Sequence, residues 1–200
     1  YSRYSRINQR GPEEGGWRAN ARNLNLNRDY MKADTPELHA MLRAIDTWQP
    51  DLYIDLHVTD GADYQYDITF GWNDRQAHSP AIAAWFEDVY RSGVDAGLRA
   101  AGHIPGPLIF TDDPLSGLRD EQSDPRFSTG YGDARHLATI LVENHSLKPY
   151  DQRVLGTYVF LEQTLRAVAR EFATLRTLGA SRRQVLASVV LASLVIGLLA

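Results

Sequence analysis

The sequence predicts an α/β fold, and three observations carry that prediction. Leu52–Val58 is a short apolar run between a Pro-Asp break and an Asp-Gly turn, with the length and β-branched content of a buried strand. A second such run, Leu137–Val142, ends on Glu143. Stretches with apolar residues at helical spacing lie between and around the two runs, and a helix leading directly into a buried strand is the grammar of α/β chains. Residues 1–169 hold this domain, and residues 170–200 differ from it in character.

Bulk composition narrows the function classes. A length of 200 residues suffices for one domain with a real core, or for a domain and an appendage. The formal charge of −4 gives a nucleic-acid partner no electrostatic support. With no cysteine, any metal must be held by imidazole, carboxylate or water. Residues 1–27 carry arginines among Tyr1, Tyr4 and Trp17, a mixture also met in single-strand binders. Given the net charge, an irregular segment lining an anion-binding cleft is the better reading. No apolar core of a signal peptide occurs there, and the chain reads as beginning partway through something.

Taken in order, the elements are punctuated by caps and breakers. The alternation Asn23-Leu24-Asn25-Leu26-Asn27 suits a strand with one polar face, and it ends on Arg28, whose fork can grip a carboxylate. Thr35-Pro36-Glu37 opens a helix that runs to about Trp48, with Leu38, Met41, Leu42, Ile45 and Trp48 as its core stripe. Asp55 and His57 then interrupt the first buried strand two residues apart, and so share a face. On this stretch alone a hydrogen-bonded core histidine remains open beside a metal ligand or an acid–base group. Residues 61–77 form an aromatic-rich strand and turn walling a pocket, and Ser79-Pro80 caps a helix over 81–101. Leu108-Ile109-Phe110 is a short strand, followed by a long loop over 111–135 of the kind that carries function. A third helix covers roughly 151–170 and packs on the sheet through Val154, Leu155, Tyr158, Val159, Leu161, Leu165 and Val168.

Three features stand together: Asn27-Arg28, His57 at one strand end and Glu143 at another. Amide hydrolysis needs an activated water, a base and stabilisation of charge at the carbonyl oxygen. On Gly16-Trp17-Arg18, Asn25 to Tyr30, Thr35-Pro36-Glu37, Pro50 to Gly61 and Thr139 to Tyr150, taken in that order, the chain resembles the zinc carboxypeptidases of the carboxypeptidase A type. The resemblance implies the carboxyl part of a mixed-sheet α/β/α domain. It further implies His57 as a zinc ligand, Glu143 as general base and Arg18 as the group polarising the scissile carbonyl. Asn27 and Arg28 would grip the substrate's terminal carboxylate, and Tyr131 is the candidate for the family's mobile tyrosine. The substrate would be a peptide or a small acyl amino acid, and the domain would be periplasmic or secreted.

Departures from the family pattern limit these expectations. No histidine is followed by the His-x-x-Glu spacing that supplies the family's first two zinc ligands, so those are expected upstream of Tyr1 and the chain as given is expected to be inactive or nearly so. A zinc deacylase of the aspartoacylase type, which shares the Asp-Leu-His and Asn-Arg features, is the alternative enzyme. The tail resembles something else. Residues 170–185 are similar to the permease subunits of lipoprotein-release and macrolide-export ABC transporters, and the uncharged run Val185–Ala200 reads as a membrane helix cut short. Arginines beside that run suggest an inner-membrane location with a cytoplasmic flank, at odds with an exported domain, and a chimeric join near 168–171 would explain both.

Overall fold

The computed structural model describes residues 10, 14, 18–59, 61–110, 117 and 122–177, with 172–177 described as helix backbone only. The expected membrane helix and permease-like segment over 178–200 lie outside the described residues, as do Trp17 and most of the loop over 111–121. No helix among the described residues is long and apolar enough to cross a membrane.

Helix α1 (Pro36–Trp48) begins where the capping residues place it, with Thr35 Oγ1 accepting from Leu38 N, and it ends on Gln49 in a left-handed conformation. Strand β1 (Leu52–Val58) follows directly. Strand β2 (Ile68–Gly71) leads to α2 (Pro80–Ala84), a π-helical turn over Trp85–Tyr90 and α3 (Arg91–Ala100). Strand β3 (Pro105–Pro107), helix α4 (Ser128–Ala134), strand β4 (Ala138–Asn144) and the long helix α5 (Tyr150–Thr177) complete the described chain.

The four strands form one mixed sheet in the order β1-β4-β2-β3. β1 runs parallel to β4, β4 antiparallel to β2, and β2 parallel to β3. Alternation along β4 divides its side chains between two faces. Ile140 and Val142 join Ile68, Phe70, Phe86, Tyr90, Val94, Leu98 and Phe160 in the main core, under α3 and α5. On the opposite face Tyr53 meets Tyr30, Leu38, Ile45 and Leu137 in a smaller cluster beneath α1. Farther along that second face, toward the carboxyl ends of β1 and β4, come Asp55, His57 and Glu143. The expected α/β class with a mixed sheet is what the chain adopts.

Four local expectations are corrected. Trp48, at the end of the α1 stripe, is exposed and lies outside the core cluster that Leu38, Met41, Leu42 and Ile45 join. The Asn-Leu alternation is not a strand: Leu26–Arg28 is a 3-10 turn capped by Asn25, and Asn23 is left-handed at φ 60°. Asn20 Oδ1 accepts from both Arg22 N and Leu24 N, and Asn25 Oδ1 from Asn27 N, so the asparagines bond their own backbone instead of a ladder. The short strand lies at Pro105–Pro107 and not at 108–110, where Leu108 N still reaches Phe70 O and Phe110 forms an isolated bridge. α5 buries Gly156, Phe160, Thr164 and Ala167, leaving Val154, Leu155, Tyr158 and Leu165 exposed. The buried face sets Gly156 against the His103 ring, Phe160 in the main core and Thr164 Oγ1 2.6 Å from the Tyr90 hydroxyl.

Candidate functional site

Registry between β1 and β4 sets the site. His57 pairs directly with Glu143, and Glu143 pairs in turn with Thr69 of β2. Neighbouring strands lie about 4.8 Å apart, so the three side chains stand in a row on one face of the sheet. Parallel strands place such residues at the crevice beyond their carboxyl ends, where open α/β sheets bind ligands.

Asp55, one side-chain repeat below His57, has Oδ2 2.9 Å from His57 Nε2 and holds the ring along the strand. Burial pulls the His57 pKa down, but the Asp55 pairing and the charges of Asp55 and Glu143 outweigh it against Arg18. The imidazolium is favoured as a result. Asn27 and Arg28 arrive from the other side on the 3-10 turn. That turn is anchored by buried Asp29, whose carboxylate accepts from Asp34 N, Thr35 N and Thr35 Oγ1. Burial raises the Asp29 pKa, yet these donors bring it below the ordinary value. Asp29 therefore ties the Asn-Arg turn to the cap of α1, a link between two sequence motifs that neither spacing nor periodicity discloses.

Between these elements opens a cleft of about 290 Å³. Arg18, Asn27, Arg28, His57 and Glu143 all line it, so five of the six residues singled out in the sequence share one cavity. Tyr131 does not. Its ring packs 5.7 Å from that of Tyr30 in the smaller core, and its hydroxyl accepts from Arg135 Nη1 at 3.0 Å. Among the described residues the remaining walls are Val58, Thr59, Ala62, Tyr64, Ile109, Phe110, Ser123, Phe127 and Leu141. Tyr64 comes from the stretch expected to wall a pocket, whereas Ser123 and Phe127 sit in a polar loop with no periodicity to mark them.

Arg18, Arg28 and His57 face a single carboxylate, Glu143, among the described lining residues, so the cleft favours an anionic ligand. The described residues contain no group of three histidine or acidic side chains able to hold a metal ion. His57 alone among the six histidines borders the cleft, and the donor set present does not fit a zinc site by itself.

No family model matches the chain, and neither does any curated protein sequence. Among solved structures it is similar to the crystal structure of "Putative carboxypeptidase A" from Shewanella denitrificans OS-217, with a TM-score of 0.54 and 17% identity over 78% of this chain. The match spans 43% of that structure's length, so this chain corresponds to less than half of it. At that identity the likeness establishes a carboxypeptidase-like fold.

Proposed function

We propose that the chain carries the carboxylate-gripping and base-bearing portion of a metallocarboxypeptidase site, acting on the C-terminal residue of peptides. The observation that supports this most is the pairing of His57 with Glu143 on adjacent strands, facing the arginines of the cleft. In this reading Arg28 and Asn27 bind the terminal carboxylate through charge-assisted hydrogen bonds. Arg18 stabilises the negative charge that develops on the scissile carbonyl oxygen, and Glu143 accepts a proton from the attacking water. A zinc ion in such a site would activate that water, with His57 as one ligand. The described residues do not complete its ligand set, so no step is assigned to it.

The test is a binding comparison that needs no turnover. N-benzoylglycyl-L-phenylalanine and its C-terminal amide differ only in the group that Arg28 would grip. The acid is expected to bind the chain at least about tenfold more tightly, roughly 1.4 kcal/mol for one charge-assisted contact. Arg28→Gln should erase the difference. Equal affinity of acid and amide for the unaltered protein removes the carboxylate reading.

A further inference from the structure

Phe127 was invisible in the sequence, yet it meets the residue on which carboxylate binding depends. The Arg28 guanidinium lies over the Phe127 ring, 4.5 Å from its centre, and Arg28 Nη1 donates to Asn27 O at 2.7 Å. Together the two contacts hold the guanidinium against the ring and restrict its rotation. A planar guanidinium is weakly hydrated on its faces and stacks readily on an aromatic ring, while its edge keeps the donors that match a carboxylate. A second cation, the exposed Arg126, also borders the ring at 5.4 Å, but both Arg28 and Phe127 line the cleft and Arg126 does not.

The platform is itself built. Asn73, buried just beyond β2, brackets the backbone of Ser123: its Oδ1 accepts from Ser123 N at 2.8 Å and its Nδ2 donates to Ser123 O at 2.9 Å. The same Nδ2 donates to Asp133 Oδ2 at 2.5 Å, joining this segment to the end of α4. Gly130 lets the segment sit directly on α4, because a Cβ there would lie 2.2 Å from Asp124 O and 2.4 Å from Ser123 O. Phe127 closes the turn through its N–H to Asp124 O and starts α4 through its carbonyl, which accepts from Tyr131 N. Its backbone is thus held on both sides.

We propose that Phe127 is a positioning residue for Arg28, an aromatic platform that presents the guanidinium edge-on to a substrate carboxylate. This rests on the carboxylate-binding reading of the cleft. A guanidinium held against the ring loses less rotational freedom when the anion arrives, so the benefit falls on the acid and not on a neutral ligand. Loss of the ring should therefore weaken charge recognition selectively, whereas a residue that merely walls the cleft would affect acid and amide alike.

The experiment compares Phe127→Leu and Phe127→Tyr, using N-benzoylglycyl-L-phenylalanine and its amide as probes and the Arg28 side-chain NMR signals of the ligand-free protein as a second readout. Phe127→Leu is expected to weaken acid binding about fivefold, leave the amide within twofold, and abolish the ring-current shift at the Arg28 Hε. Phe127→Tyr keeps the π face and should restore both readouts. Phe127→Met, unbranched and able to fill an irregular slot, replaces the leucine variant should that one not fold. An unchanged acid preference in the leucine variant overturns the proposal, as does a proportional loss for acid and amide, or a tyrosine variant that fails like leucine. Absence of acid preference in the unaltered protein instead defeats the carboxylate reading. The platform then falls with it as a substrate device, even where the Arg28 shift reports the stack.

Discussion

His145 follows Glu143 by two residues, but it leaves the strand and turns into the protein. It is 1% exposed, with Nε2 3.1 Å from Thr69 Oγ1 and the Tyr64 ring edge-on at 4.6 Å. Burial and the Lys148 cation pull its pKa down to about 4 against the opposing charge of Asp67. A depressed histidine pKa means that, between about pH 4 and the ordinary value near 6.5, the unfolded chain binds a proton that the folded chain refuses. The neutral ring therefore contributes its full stability above pH 6.5, and that contribution is lost as pH falls toward 4. His57 works in the opposite sense, since its raised pKa adds stability below pH 6.5 that is lost as pH rises. Comparing His145→Gln with the unaltered chain isolates the first effect. Urea unfolding at pH 7 and pH 4.5 should show the unaltered chain losing about 2 kcal/mol more than the variant. Parallel losses in the two proteins would mean that His145 titrates normally.

At this scale the sequence locates cleft-lining side chains where one of them interrupts a recognisable pattern. His57 and Glu143 could be found because each breaks or ends an apolar run at a position that strand alternation assigns to a face. Phe127 and Asn73 follow no such pattern. Their partners, Arg28 and Ser123, are 99 and 50 residues away in sequence, and the contacts exist only after the sheet and α4 have been assembled.

Among the elements, those with chemical punctuation were legible. Thr35-Pro36 and Ser79-Pro80 cap helices through side-chain oxygens, and the breakers around β1 fix its ends. Where two patterns compete, the sequence misleads. Leu-Asn alternation has strand period, but the Asn25 side chain, and Asn20 just ahead of the alternation, satisfy the local backbone first. α5 is apolar around much of its circumference, and only packing selects the face. Glycines separate helices that merely exist from helices that are pressed against something. In α3, Gly93 is exposed and a Cβ there would meet nothing within 4 Å, so Gly93→Ala should stabilise the protein by about 0.5–1 kcal/mol through helix propensity. In α4, a Cβ on Gly132 would meet Thr139 Oγ1 at 1.9 Å and Leu137 O at 3.0 Å, at the entrance to β4. Gly132→Ala should cost at least about 1–3 kcal/mol. Urea midpoints that move the same way for both variants would contradict this account of how α4 seats β4.

Across the whole molecule, the distribution of imidazoles decides what the chain can do with a metal. His103 donates through Nδ1 to buried Asp67 Oδ2 at 2.7 Å, beside Gln152 Nε2 on the same carboxylate oxygen. His78 sits near Asp133 and against the Phe86 ring, His145 is sealed beside Thr69, and His39 Nε2 contacts Ala33 O on the far side of α1. His136 occupies the left-handed turn after α4, at φ 56°. That leaves His57 in the cleft, with Glu143 beside it, and a catalytic zinc site uses three protein ligands. The Asp55 pairing engages Nε2, so Nδ1 is the nitrogen left for a metal and the ring supplies one ligand of the three required. Calorimetric titration of the 200-residue chain with zinc at pH 7 is accordingly expected to show no stoichiometric site tighter than about 1 μM. His57→Ala should leave the heat signal unchanged within error. One tight site per chain that disappears in His57→Ala would show that acidic side chains outside the described residues close the ligand set around this imidazole.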